Sequence, residues 1–164
     1  LAMADQRGWA RFDSMQNHYN LVYREEEREM IPLCRAEEIA IIPWSPLARG
    51  LLARPQQQSA TVDTLRSKTD DLAQKFYTQS SDFEIAARCH QVAERRGIAS
   101  AQIALAWLLC QPGVTAPIVG ATQPGQIEEM AGALDVQLDE TECKFLEEKY
   151  QPHTVVGMSA GLPR

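Results

Sequence analysis

Residues 41–55 read IIPWSPLARGLLARP, and the fold class hangs on that stretch. Ile41, Ile42, Pro43 and Trp44 close a nearly unbroken apolar run of strand length that begins at Ile39. Such runs mark strands buried on both faces, as in parallel sheets. The run breaks at once into Ser45, Pro46 and Gly50, the residues of a tight turn, with Arg49 and Arg54 close by. A tryptophan at that place is either core filler or a flat apolar surface. In the second case it stands beside a turn whose backbone N–H groups suit an anion.

The same alternation runs outward in both directions. Upstream, RFDSMQNHYNLV (11–22) sets Ser14, Gln16 and His18 at period two, with Met15, Asn17 and Tyr19 opposite, a short strand with one polar face. EEEREMIPLCRAEE (25–38) has Met30, Leu33 and Cys34 at helical spacing, and its acidic start, from Arg24 to Met30, reads as a solvated helix face. Downstream, residues 56–80 are polar and aperiodic, and a loop this long inside a compact domain is usually functional or mobile. Ser81 with Glu84 fits a capping box for a helix through Ile85, Ala86, Cys89, Val92 and Ala93 that closes near Gly97. SAQIALAWLLCQPG (100–113) is a second helix, capped by Ser100 and ended by Pro112 and Gly113. VTAPIVGA (114–121) is a third strand, passing through Thr122 into a helix with Pro124 in its first turn. Asp139 and Glu142 cap a last helix, and residues from 151 onward read as irregular.

Strand, helix, strand, two helices, strand, two helices is the order of parallel β/α units, so the fold class is α/β. Three such strands leave sheet edges unpaired, and the chain reads as part of a larger sheet or barrel. With 164 residues, 45% of them hydrophobic, it has material for one core. A net charge of −6 without a basic block argues against nucleic acid or anionic lipid as partner. No apolar run is long enough for a membrane span or shaped like a signal peptide, which makes the cytoplasm the expected location. Cys34, Cys89, Cys110 and Cys143 are widely spaced and read as reduced thiols. With His18, His90 and His153 they lack ligand spacing, so no metal is expected.

Ligands of parallel β/α structures lie beyond the C-terminal strand ends, here residues 16–20, 44–50 and 120–126. Gln16 and His18 are either hydrogen-bonded core polars or contacts to an amide or ribose. Arg49, Arg54 and Arg66 are either surface charges or cations set near an anion. In IVGATQPGQIEE (118–129), Gly120, a small residue and Thr122 lead into a helix whose first-turn amides and dipole favour an anion. Thr122 there is a ligand contact or a simple N-cap; Gln126 and Glu129, three residues apart, share one helix face. A flat surface, cations and a helix N-terminus together describe a dinucleotide site.

DSMQNHYNL, AIIPWSPLARGLL and APIVGATQPGQIEEMAGAL resemble the last three strand–loop units of an aldo-keto reductase, most closely the bacterial members related to potassium-channel β subunits. The likeness covers nearly the whole chain. It implies that residues 1–164 are the C-terminal three β/α units of one (β/α)8 TIM barrel, incomplete as a lone chain. It also implies that the complete protein reduces aldehydes or ketones with NADPH, without a Rossmann fingerprint.

By the same resemblance, Gln16 bonds the nicotinamide carboxamide and Trp44 stacks on its ring. Ser45, Pro46, Leu47 and the turn through Arg49 to Gly50 wrap the pyrophosphate, with Arg54 and Arg66 near the phosphates. Gly120, Thr122, Gln126 and Glu129 hold the adenosine end. The chain departs from the family at Met130, where Asn is common, and at Ala121, where Ser or Lys is common. The family's catalytic Asp, Tyr, Lys and His belong to earlier strands. Tyr19, Tyr23, Tyr77 and Tyr150 lack the matching context, and His18 reads as a supporting residue, so no catalytic residue is assigned. The competing readings are a nucleotide-binding regulatory subunit and a degenerate fragment. The implied partners are a small carbonyl substrate and either a second copy or the missing N-terminal portion.

Overall fold

The computed structural model describes residues 1–53 and 76–155. Helix α1 (Ala2–Arg7) stops at Gly8 and leads into β1 (Ser14–Met15). A 3-10 turn (Glu25–Arg28) and α2 (Met30–Ala36) carry the chain to β2 (Ala40–Ile41). After another 3-10 turn (Ala48–Gly50) come α3 (Ser80–Arg96), α4 (Ser100–Leu109), α5 (Pro124–Ala131), a 3-10 turn (Gly132–Asp135) and α6 (Glu140–Glu147).

β1 and β2 pair in parallel, Ser14 opposite Ala40 and Met15 opposite Ile41. Ala40, Ile42 and Trp44 donate their N–H groups to the carbonyls of Asp13, Met15 and Asn17. The third segment joins on the other side of β2 through parallel bridges at Ile41–Val114 and Trp44–Ile118 only. Proline explains why it never becomes a regular strand. Thr115 N–H reaches Ile41 O, and the next donor in register is residue 117, a proline with no N–H. Ile118 donates to Pro43 O instead, which slips the register by one residue.

The helices cover one face of these segments. Trp107, Tyr19, Leu21, Ile41, Ile85, Ile103, Leu108 and Leu146 are all buried at the centre of the core. Helix α4 is apolar nearly all round because α3 packs on one side of it while α5 and its following 3-10 turn pack on another. Gly97 ends α3 in a left-handed conformation at φ 66°, which lets Ile98 N–H reach Ala93 O. The antiparallel return of α6 along α3 is clamped by Arg88 to Glu148 (2.7 Å) and by Arg96 to Glu142.

Several expectations need correction. The run 39–44 is buried on one face rather than both: Ile41 and Pro43 are covered, whereas Ala40, Ile42 and Trp44 are half-exposed. Residues 24–36 are not one amphipathic helix but a 3-10 turn and a short helix, in which Ile31 is buried and Leu33 exposed. The acidic run is not a solvated face either, since Glu25 is buried. The helix starts also move. Gln79, not Ser81, precedes α3, and its N–H is satisfied by Asp82 Oδ2 at 3.0 Å. Ala99, not Ser100, precedes α4, and its N–H goes to Gln102 Oε1 at 3.1 Å. Gln123, not Thr122, precedes α5. The Asp139–Glu142 box stands where the sequence put it, with reciprocal bonds of 2.8 and 3.0 Å.

Candidate functional site

The ends of the first two parallel segments meet at a cavity of about 240 Å³. Its walls are Met15, Gln16, Asn17, His18, Tyr23, Glu26, Trp44, Phe76 and Val155. Gln16 and Trp44, far apart in sequence, therefore line one space. Gln16 is exposed, as its place on the polar side of β1 requires. Trp44 is half-buried, and one ring face is taken: His18 stacks on it with centroids 4.1 Å apart and planes 15° from parallel. Tyr23 stacks on the far side of His18 at 4.0 Å, and Phe76 meets the His18 and Trp44 rings edge-on. His18 is thus a buried layer in a three-ring stack rather than a member of an open polar face.

A compact polar network fixes that stack. Tyr77 Oη lies 2.7 Å from His18 Nε2 and accepts from Asn20 Nδ2 at 3.0 Å. Asn20 Nδ2 also donates to Ser45 O at 2.9 Å, while its Oδ1 accepts the N–H groups of Val22 and Tyr23. One asparagine side chain therefore ties the end of the first segment to the turn after the second. Burial, with His153 and Arg49 nearby, holds the His18 imidazole down to about 3, so the ring is neutral. Burial pushes the Tyr77 hydroxyl up to about 12, so it stays neutral in its hydrogen bond with His18 Nε2.

The His18 shift has a measurable consequence. Unfolded, this histidine titrates near 6.5, so between about pH 3 and pH 6.5 the unfolded chain binds a proton that the folded chain does not. Stability from neutral burial is complete above pH 6.5 and is lost as pH falls toward 3, at up to about 1.4 kcal/mol per pH unit. Urea unfolding at a series of pH values should show that slope in the protein and a shallower one in His18→Gln. Equal slopes would contradict the buried neutral ring.

The turn after Trp44 is strained. Ser45 (φ 56°), Ala48 (φ 48°) and Arg49 (φ 54°) all hold left-handed backbone, and Gly50 follows at φ 103°. Glycine is needed only at the last; each of the others costs on the order of 1–3 kcal/mol, and such residues gather at ligand clamps. Pro46 is buried, Leu47 half-buried and Arg49 exposed. Arg54 and Arg66 lie outside the described residues.

At the third segment end, Gly120 is exposed, and a Cβ there would meet nothing within 4 Å, so the packing of the described residues gives no reason for glycine. Gln126 and Glu129 both lie on α5. The two amides that lead into α5 are taken by its own side chain: Gln126 Oε1 accepts from Thr122 N at 2.8 Å and Gln123 N at 3.3 Å. A side chain three residues into the helix can fold back onto its own start, and an anion would have to displace it.

Sequence reading missed four contributors. Asn20, Tyr77 and Phe76 act through tertiary contacts that no local pattern announces. Glu26 lines the cavity, and burial beside Glu25 and Glu29 raises its pKa. The pairing of Arg24 with Glu27 and of Arg28 with Glu25 at i, i+3 was visible in the sequence and already hinted that the acidic run is partnered.

Comparison with known proteins identifies the family. The profile of the aldo/keto reductase family matches residues 1–151. An aldo-keto reductase of Fusarium vanettenii is 42% identical over 158 residues, covering 96% of this chain and 42% of that protein. The versiconal hemiacetal acetate reductase of Aspergillus parasiticus is 42% identical over 156 residues, 93% of this chain and 44% of its own length. An aldo-keto reductase of Metarhizium robertsii is 41% identical over 161 residues, with 96% and 42% coverage. The chain spans less than half the length of these relatives. Parallel strand ends gathered around Gln16, Trp44 and a left-handed turn, with a family match over nearly the whole length, place this chain in the aldo/keto reductase family.

Proposed function

We propose that the complete protein is an NADPH-dependent oxidoreductase that reduces aldehydes or ketones to alcohols. In this reading the present chain is the C-terminal three β/α units of a (β/α)8 barrel and carries most of the cofactor site. The observation that carries it is the joint placement of Gln16 and Trp44 on one cavity, with the left-handed turn 45–50 starting at its edge. NADPH supplies the hydride when bound; the residues of this chain hold and orient it. Gln16 offers an exposed amide to the carboxamide, and Trp44, braced from behind by His18, offers a ring to the nicotinamide. Ser45, Pro46, Leu47 and Gly50 surround the pyrophosphate, and Arg49, with Arg54 and Arg66, supplies cations toward the phosphates. Gly120, Thr122, Gln126 and Glu129 take the adenosine end, with Gln126 releasing the Thr122 and Gln123 amides. No residue of this chain is assigned to proton transfer.

The decisive experiment is a fluorescence titration of the complete protein with NADPH and NADH. A 2′-phosphate gives arginine a charge to pair, and one such charge-assisted contact is worth roughly 1.5–3 kcal/mol. NADPH should bind tighter by about that amount at low salt; equal dissociation constants would refute the preference. Trp44→Ala should weaken NADPH binding by roughly 1–3 kcal/mol, the worth of one stacked ring. A folded Trp44→Ala variant with unchanged affinity would make Trp44 core filler.

A further inference from the structure

We infer that His153 is a positioning residue, which docks residues 151–155 so that Val155 forms one wall of the Trp44 cavity. The inference rests on the cofactor reading above. Residues 151–155 carry no regular secondary structure, and their neighbours at 151, 152, 154 and 155 are exposed, yet His153 is buried. A lone buried histidine in an otherwise exposed stretch needs a reason, and its contacts provide one.

The backbone N–H of His153 donates to Glu25 Oε1 at 2.6 Å. The same oxygen accepts the Tyr150 hydroxyl at 2.6 Å, and Arg28 reaches Glu25 Oε2 at 2.8 Å. His153 Nε2 lies 2.9 Å from Asp82 Oδ1, close enough for an ion pair when the ring is protonated, though not aligned as a hydrogen bond. Asp82 is fully buried in the first turn of α3. One residue thus bridges the turn after β1 and the start of α3, both built with buried carboxylates. Two residues on, Val155 is part of the cavity wall. The His153 ring also lies 5.6 Å from Tyr23, the outer layer of the Tyr23–His18–Trp44 stack. Displacing residues 151–155 would therefore open the wall and uncover the stack from the Tyr23 side. No part of His153 lines the cavity itself, so its effect passes through Val155 and Tyr23.

The test uses the complete protein, with NADPH as probe and acrylamide quenching of Trp44 as a second readout, isolated by difference against Trp44→Phe. His153→Ala keeps the backbone N–H to Glu25 but loses the buried ring that packs near Tyr23 and Tyr150 and faces Asp82, so it should raise the NADPH dissociation constant about 3–10-fold and increase Trp44 quenching. His153→Gln, which keeps a polar side chain of similar reach beside Asp82, should recover most of the affinity. Val155→Ala removes only an exposed side chain, so it should leave the melting temperature unchanged while raising the dissociation constant in the same direction. Should His153→Ala unfold, Val155→Ala and His153→Gln decide alone. Wild-type affinity and quenching in Val155→Ala, or in a folded His153→Ala, would overturn the inference. If the unmodified protein fails to bind NADPH, the cofactor reading falls, and the inference then stands or falls on Trp44 quenching in His153→Ala and Val155→Ala.

Discussion

The 164-residue chain by itself should produce no NADPH-dependent turnover of aldehydes or ketones, a loss of at least the roughly 10²–10⁴-fold that a general acid contributes. Three parallel segments cannot close a barrel, and Ile118 and Val119 on the third stand 41% and 42% exposed. The candidate proton donors are also committed elsewhere. His18, held to about 3, carries no spare proton at neutral pH. Tyr77, at about 12, is spent on His18 and Asn20. The Tyr19 hydroxyl donates to Glu27 and that of Tyr150 to Glu25, and both are raised above the ordinary range by burial and these carboxylates. The assay is NADPH oxidation with a panel of aldehydes and ketones, and adding the remaining strands in trans should restore activity. Turnover by the chain alone that Trp44→Ala abolishes would reverse this view and send the search back to His18 and Tyr19.

The largest stability effect is expected at Trp107, far from the cavity. Its ring is fully buried in α4, tilted against Tyr19 at 5.7 Å, with the Arg24 guanidinium 5.2 Å above it. Its Nε1 donates to Glu147 Oε1 at 2.8 Å, linking α4 to α6. Trp107→Ala should cost about 3–5 kcal/mol in urea unfolding, from lost contacts and the cavity left behind. It also removes a donor from Glu147, which Arg24 approaches only at 3.6 Å. Trp107→Phe keeps most of the packing but not the hydrogen bond and should fall in between. A loss under about 1 kcal/mol for the alanine variant would show that α4 is not the keystone its burial implies.

Local chemistry alone determined the α/β alternation, because hydrophobic period, proline and glycine act over a few residues wherever the chain later goes. The run 39–44 had to be a strand, 100–109 a buried helix, and Gly97 a helix end. Asp139 and Glu142 named their own cap, since both partners lie within one turn. Family likeness then selected Gln16, Trp44 and the turn 45–50, and the fold brings Gln16 and Trp44 to one cavity with that turn beside it. Helix starts were less legible: Gln79 and Ala99 displaced better cap formers because Asp82 and Gln102 reach back from inside the helix. What only the tertiary structure decided are pairings across long sequence distances. Tyr77 against His18, Asn20 against the Ser45 carbonyl and His153 against Glu25 have no local signature. Glu25 looked solvated in sequence for the same reason. Burial belongs to the packed molecule, and a carboxylate is buried only when tertiary contacts bring it partners.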